Sequence, residues 1–343
     1  MKKLLNTLYV TQPDVYMSLQ GENIVLKKEN ENVAKLPLHN LESIVAFGYT
    51  GASPGLMGYC AQNSIPIIFM TMNGRYLARV VGETRGNVTL RKEQYRISDD
   101  LEKSNEISKN FLTGKVFNNK WVIERTVRDH EMRINKDQLK NVSGQLSSFL
   151  KYIQSSMDLE ELRGWEGQAA NTYNRVFDQL ILNQKEHFYF HSRNRRPPLD
   201  NVNAILSFVY TLLANDVASA LEGVGLDSYV GFLHRDRPGR ISLALDVMEE
   251  LRGCYADRFV LSLINRNVVN EEDFSSKENG AVIMSDEARK KVLKLWQNKK
   301  QEEITHPFLS EKISWGLLPH VQALLLARYI RGDLDEYPPF LWK

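Results

Sequence analysis

Three separated stretches carry side chains that could hold a cation. Glu166 lies in RGWEGQAANTYNRVF. If that stretch is helical, Ala170, Tyr173 and Phe177 follow it on or near one face at i+4, i+7 and i+11. A carboxylate among core-facing residues is costly unless it is paired or bound to a cation. Its plain structural partner would be an arginine such as Arg163. His234 stands in the loop-like GFLHRDRPGR, and the helical ISLALDVMEELR follows. There Asp246, Glu249 and Glu250, at i, i+3 and i+4, share one helix side. Like charges that close repel, so they call for a cation or basic neighbours. Arg252, three residues after Glu249, could supply part of that as a helix ion pair. Taken singly, each residue reads as structural. Together, glutamate, histidine and helix carboxylates form a mixed oxygen and nitrogen set suited to Mg²⁺ or Mn²⁺. One histidine with carboxylates and no thiolate argues against a closed zinc site.

A second kind of chemistry is suggested by KEHFYFHSRNRR. Lys185, Arg193, Arg195 and Arg196 gather there with Phe188, Tyr189 and Phe190 between them, a combination suited to a phosphate backbone and exposed bases. The ordinary alternative is a solvated charged face. His187 and His191, at i and i+4, could share a helix face, but Phe188 stands where a zinc protease has glutamate, so packing is the simpler reading. Gly48, Gly51, Gly55 and Gly58 lie between a strand and a helix without the Lys-Ser or Lys-Thr of a phosphate loop. They read as turn and close-packing residues.

These residues must be positioned by two kinds of structure. The first eighty or so residues have strand character: Leu8–Val10, Val15–Leu19, Asn23–Lys27, Ser43–Phe47, Ile65–Met70 and Arg75–Val81. Gln20-Gly21-Glu22 and Asn73-Gly74 serve as turns, and one helix spans Pro54–Asn63. From about residue 88 the period becomes helical, with Ile107, Phe111, Val116, Val122 and Ile123 marking one long helix. Leu139, Val142, Leu146, Phe149 and Ile153 mark another. Further helices are expected near 158–185, 202–221, 241–252, 255–268, 285–302 and 313–331. With Gly86-Asn87 as linker, the expected fold is α+β: a small β-rich, β-sandwich-like domain over 1–86 and a larger all-α domain over 87–343 that carries the site.

Composition limits the function classes. At 343 residues and 43% hydrophobic, the chain can fill real cores and is not a disordered polymer. Forty-four basic against forty-two acidic side chains leave a formal charge of only +2, so any nucleic-acid contact must come from local clustering. Cys60 and Cys254 form no disulfide framework. The N-terminal apolar stretch is broken too early for a signal peptide, and the apolar run Ala204–Ala214 is too short to span a bilayer. A soluble, cytoplasmic protein is expected.

The order of these motifs resembles a known family. Glu166-Gly167-Gln168-Ala169-Ala170 with Tyr173, Arg196-Pro197-Pro198 with Asn203, and His234 with Leu243 through Arg252 are similar to the Cas1 family, the CRISPR-associated integrase and endonuclease of spacer acquisition. The closing Ile330-Arg331-Gly332 through Tyr337-Pro338-Pro339-Phe340-Leu341-Trp342-Lys343 resembles its type I-C branch. The resemblance covers essentially the whole chain. It implies a β-sandwich-like first domain, a helical second domain that holds the metal, and a homodimer that joins a Cas2 dimer. It maps the family's metal-binding glutamate to Glu166, its histidine to His234 and its helix carboxylate to Glu249, where the family often has aspartate. Asp246 falls beside the metal or just behind it, as a further catalytic carboxylate.

What the resemblance implies is a DNA integrase dependent on Mg²⁺ or Mn²⁺. The 3′-hydroxyl of a short double-stranded fragment attacks a phosphodiester at the edge of CRISPR repeat DNA. Lys185, Arg193, Arg195, Arg196 and Arg252 are the candidate phosphate-holding residues. Two alternatives stay open: a structure-specific nuclease with water as nucleophile, and a non-catalytic architectural DNA binder.

Overall fold

Short β-branched and aliphatic runs build the first part of the chain. In the computed structural model, which describes residues 6–12, 14–29, 31–49, 51–72, 76–80, 82 and 87–343, they form β1 (Thr7–Val10), β2 (Tyr16–Gln20), β3 (Asn23–Lys28), β4 (Glu31–Pro37), β5 (Ser43–Phe47), α1 (Pro54–Gln62), β6 (Ile67–Met70) and β7 (Tyr76–Val80). One sheet has the order β1-β5-β6-β7, parallel except for the β6/β7 pair; the other is the antiparallel meander β2-β3-β4. β5 is buried at all five positions, as a central strand flanked by parallel neighbours must be. The core joins Val10, Ile44, Ala46 and Ile67 of one sheet to Met17 and Ile24 of the other, with Leu56 and Cys60 of α1. β4 escapes the sequence reading because none of its side chains is fully buried. Asn73-Gly74 and Gly86 of the expected linker lie outside the described residues.

The second part is helical. It comprises α2 (Val88–Asp99), α3 (Leu101–His130), α4 (Lys136–Ser155), α5 (Leu159–Phe177), α6 (Asn201–Gly223), α7 (Ser242–Leu251) and α8 (Arg258–Asn265). Side-chain caps start several of them: Asp100 on α3, Asn135 on α4, Asp158 on α5 and Asp200 on α6 each accept from backbone N–H groups of the first turn. The α+β order expected from the sequence holds, although short ribbons interrupt the helices. These are β8 (Phe274–Ser276) with β9 (Val282–Met284), and β10 (Glu303–Thr305) with β11 (Lys312–Ser314). α9 (Asp286–Gln301) lies between the ribbons, and α10 (Leu318–Ile330) follows the second.

The chain divides into two compact units, and the division is not a single cut near residue 86. Residues 284–302 and 314–317 cluster with the first 85, whereas the sequence reading places them in a helical domain running unbroken over 87–343. The cause is the apolar stripe of α9, whose Ala288, Val292, Leu293 and Trp296 are buried. Leu293 lines a small cavity with Thr11, Phe47 and Met72 of the β-rich unit.

Two further expectations are revised. α7 does not stop before a separate helix; it continues through a π-helical segment, Arg252–Asp257, straight into α8. Wide turns of this kind recur at functional sites. α6 is longer than the apolar run suggested: within its 23 residues an 18-residue window reaches a mean hydropathy of 1.5, enough to cross a bilayer by length and composition. However, 61% of that window is buried inside the protein, which is how a core helix behaves.

Candidate functional site

The site is built in the helical unit, where α3, α5, α7 and the loop before α7 meet. Asp246, fully buried on α7, accepts backbone N–H groups from Phe232 (2.7 Å), Leu233 (3.0 Å) and His234 (3.0 Å). Those bonds wrap the loop around the carboxylate. Gly231 is needed at the approach, since a Cβ there would sit 2.8 Å from Asp246 Oδ2. From the other side, Arg163 Nε and Nη2 donate to the Leu233 carbonyl at 2.9 and 2.6 Å. The His234 ring is then fixed by its own contact, Nδ1 to Asp246 Oδ1 at 2.5 Å. A carboxylate accepts, so Nδ1 is the donor of this contact, and Nε2 is the ring nitrogen left facing Glu249. This is the carboxylate–histidine pairing that orients a metal-ligating imidazole. Asp246 therefore positions His234, and its oxygens are already engaged.

Nε2 of His234 lies 3.9 Å from Glu249 Oε1. Glu249 is buried one turn beyond Asp246 and faces three cationic or ionisable partners. Arg252 Nη1 is 2.9 Å from Oε1, and Lys115 Nζ, from α3, is 2.8 Å from Oε2. Burial alone would raise its pKa, but Arg252, Lys115 and His234 together bring it down to about 2. The same Lys115 ammonium pairs with Glu166 Oε1 from α5. Burial pushes that lysine toward neutrality, and the carboxylates of Glu249 and Glu166 outweigh it and hold the charge. Glu166, His234 and Glu249 thus gather along one line of contacts, with a lysine in the middle.

Whether these residues suit a divalent ion is decided by that lysine. The donor set, two carboxylates and an imidazole, is appropriate to Mg²⁺ or Mn²⁺. A cation already bridges the two carboxylates, in the form of an ammonium. Among the described residues, no three His, Cys, Asp or Glu side chains stand close enough to hold an ion as they are placed. The chemistry fits, provided that Lys115 gives way.

The three α7 carboxylates share a helix side without sharing a role. Glu250 turns away from Glu249 and accepts from Tyr337, Gln322 and the Phe340 backbone. Glu166 does not take the arginine offered by the sequence reading either, since Arg163 pairs with Glu160.

The expected basic cluster also divides. Residues 182–200 contain no helix, so His187 and His191 share no helical face; His187 Nδ1 lies 3.1 Å from Glu271 instead. Phe188 and Phe190 are buried, against Phe274 and Phe177, and are withdrawn from base stacking. Lys185 pairs with Asp178 at 2.7 Å. Arg193 is tied inward to Asn203 Oδ1 (2.7 Å) and Ser207 Oγ (3.0 Å). Arg195 and Arg196 are exposed. Burial lowers the pKa of Arg240, from the loop-like GFLHRDRPGR, and the charges of Arg237, Asp246, Arg195 and Glu249 all act on it.

Behind the site sits a buried polar knot. Tyr210 of α6 has the guanidinium of Arg193 5.2 Å and that of Arg252 5.4 Å from its ring centroid. Its hydroxyl donates to Asp257 Oδ1 at 2.5 Å, and Tyr173 donates to Oδ2 at 3.3 Å. Burial raises Asp257 to about 6, against the tyrosine hydrogen bonds and the charges of Arg252 and Arg193. A raised acid keeps its proton in the folded protein while the unfolded chain has lost it. Stability is therefore greatest below the usual aspartate value and falls as pH rises through about 6. Over that window the loss is about 3 kcal/mol at ~1.4 kcal/mol per pH unit. Asp257→Asn is expected to remove this slope between pH 4 and 6 in urea melts. Parallel pH profiles for variant and wild type would show that Asp257 does not titrate there.

Comparison with known proteins adds the family context. The profile of CRISPR associated protein Cas1 matches residues 8–298. The chain is 48% identical over 343 residues to the CRISPR-associated endonuclease Cas1 1 of Chlorobaculum tepidum, covering 100% of both chains. It is 49% identical over 347 residues to the CRISPR-associated endonuclease Cas1 2 of Rhodospirillum rubrum, again 100% of both. Solved structures share the fold. A casposase bound to integration product aligns with a TM-score of 0.84 at 22% identity, over 98% of this chain and 94% of that one. A Cas1 protein from Thermotoga maritima aligns at 0.81 and 23% identity, over 95% and 97%. A chain of a Cas6-RT-Cas1–Cas2 complex aligns at 0.82 and 20% identity, over 98% and 36%.

Proposed function

The chain belongs to the Cas1 family of CRISPR-associated proteins, and on that premise we propose that it is a metal-dependent DNA integrase, of the type I-C branch, that inserts short fragments into a CRISPR array. The observation that carries the reading is the convergence of Glu166 and Glu249, from different helices, on one buried cation, with His234 Nε2 3.9 Å from Glu249. Relatives named endonucleases and a fold shared with a casposase bound to integration product support phosphodiester chemistry.

Glu166, His234 and Glu249 would hold Mg²⁺ or Mn²⁺. Bound there, the ion would polarise the scissile phosphate and lower the pKa of the attacking 3′-hydroxyl. Asp246 Oδ1 faces Nδ1 of His234, so in a neutral ring the proton would sit on Nδ1 and Nε2 would offer its lone pair to the ion. Arg195, Arg237 and Arg240 would offset phosphate charge and seat the repeat. In the reaction, the fragment's 3′-oxygen bonds to phosphorus, the bond to the displaced 3′-oxygen breaks, and the proton passes from the first oxygen to the second through solvent. One ester replaces another, so no nucleoside triphosphate is consumed. The partners of this reading are double-stranded fragments with 3′-hydroxyl ends, repeat DNA, a second copy of the chain and a Cas2 dimer, in the cytoplasm.

The test is to offer end-labelled 3′-hydroxyl fragments and a repeat-bearing supercoiled plasmid in Mn²⁺. Label joined to plasmid, and lost on adding chelator, is the expected result. The relatives' name favours one second reading, a nuclease with water as nucleophile; plasmid cut with no label transferred would establish it and end the integrase reading. DNA bound but neither cut nor joined would leave only an architectural role.

A further inference from the structure

Lys115 is unusual among the lysines of the helical unit. Its side chain is only 7% exposed, and its ammonium touches two of the three side chains to which the cation site is assigned. It stems from the middle of α3, a 30-residue helix, and lies one turn beyond Phe111 in the buried series Ile107, Phe111, Lys115. A lysine on a core stripe needs a reason, and here the reason is Glu249 and Glu166. The ammonium lies 2.8 Å from Glu249 Oε2 and also holds Glu166 Oε1, one oxygen of each carboxylate assigned to the ion. Without a cation between them, two carboxylates on either side of one ammonium, one of them buried, would repel.

We propose that Lys115 is the resident counter-ion of the metal-free site, so that divalent-ion binding proceeds by displacement of its ammonium and the lysine sets the affinity for the ion. This rests on the reading of Glu166, His234 and Glu249 as ligands. Mg²⁺ and Mn²⁺ prefer carboxylate oxygens, and a divalent ion held by both carboxylates would repel an ammonium held by the same two groups. The lysine has the means to leave: four flexible methylenes on a rigid helix allow its head to move without disturbing α3. Arg252, the other cation on Glu249, holds Oε1 and is stacked on Tyr210, so it is less free to yield. The consequence is a site that stays folded and charge-balanced without metal and loads metal against a fixed competitor. Removing the competitor makes the ion bind more tightly.

The experiment is a titration of the full chain with Mn²⁺ alone, without DNA, followed by electron paramagnetic resonance of the free ion and by Tm. Lys115→Met keeps the stem and deletes the charge. It is expected to bind Mn²⁺ at least ~10-fold more tightly than wild type, because the two carboxylates no longer have an internal partner. Its metal-free Tm should be lower, and Mn²⁺ should raise that Tm by more than it does in wild type. Lys115→Arg, which keeps a cation there, should bind no more tightly than wild type. If Lys115→Met does not fold, Lys115→Gln carries the same expectation. Equal or weaker Mn²⁺ binding by the neutral variant, in a wild type that does bind, overturns the competition and leaves the ligand assignment standing. Absence of Mn²⁺ binding in wild type and variants alike overturns both.

Discussion

Glu249→Ala is expected to lower strand joining by on the order of 10³-fold or more, as loss of a metal-holding and charge-focusing group does, and to weaken the fold at the same time. The second effect follows from burial. The Glu249 side chain is 3% exposed and is the meeting point of Lys115 and Arg252. Deleting it leaves Arg252 without its carboxylate and Lys115 with one partner in place of two. Breaking a buried pair from one side costs about 3–5 kcal/mol. Glu166→Ala separates the two effects. Its carboxylate is 31% exposed, and Lys115 keeps Glu249 when it is gone, so joining should fall as far while stability moves by no more than about 1 kcal/mol. Joining rates in matched Mn²⁺ and urea midpoints for both variants check this. Wild-type joining by Glu166→Ala would remove it from the site; an unchanged midpoint for Glu249→Ala would mean that the buried cluster contributes nothing to the fold.

Much of this was legible in the sequence, for identifiable reasons. The β-then-α order follows from a change of hydrophobic period, and period survives whatever the tertiary structure does. The carboxylates of α7 could be found because three acids on one helix side demand cations, and Glu249 indeed has two. What could not be read was the direction each acid takes. Spacing places Asp246, Glu249 and Glu250 together; only the packing sends Asp246 to the loop before α7, Glu249 to α3 and Glu250 toward Tyr337 and Phe340. Lys115 was missed although a signal existed, a cation interrupting the apolar stripe of Ile107 and Phe111. Aromatics between arginines misled in the opposite sense. Phe188 and Phe190 are there to fill the core, and the run is an irregular segment in which alternate side chains face inward. Arg240 needed the fold, because its proximity to the carboxylates arises from the turn before α7.

Glu250→Ala is expected to cost the protein on the order of 3–4 kcal/mol without touching any group that meets DNA. The extended segment Tyr337–Lys343 has no regular structure, yet Tyr337, Phe340 and Trp342 are buried. A buried strap of that kind must find partners for its backbone, and it finds them on α7, α3 and α10. Phe340 N–H donates to Glu250 Oε2 at 2.7 Å, and the Tyr337 hydroxyl donates to Oε1. Asn118 donates to the Phe340 carbonyl at 2.8 Å and accepts from Trp342 N–H at 2.8 Å. Its amide also reaches the Glu250 carbonyl at 2.6 Å. Gly114 lets the pieces close, because a Cβ there would lie 2.7 Å from Glu250 Cβ and 3.3 Å from Pro339 Cβ. At the far end, Arg125 and Arg258 stand 3.9 and 4.2 Å from the Trp342 ring. Removing the Glu250 carboxylate strands the Phe340 N–H and the Tyr337 O–H, each worth about 1–3 kcal/mol when left unpaired and buried, while Gln322 keeps the Tyr337 oxygen and the Pro338 carbonyl as acceptors. The two do not add in full, since the freed strap can reach water. The expected fall in Tm is roughly 4–6 °C, with faster tryptic cleavage at the exposed Arg331 as the strap comes loose. Because the strap holds α7 at the residue next to Glu249, joining should fall with it, and Mn²⁺ affinity should weaken. Tm and cleavage at wild-type values in Glu250→Ala would show that the strap is held by its aromatic side chains alone, and that α7 keeps Glu249 in place without it.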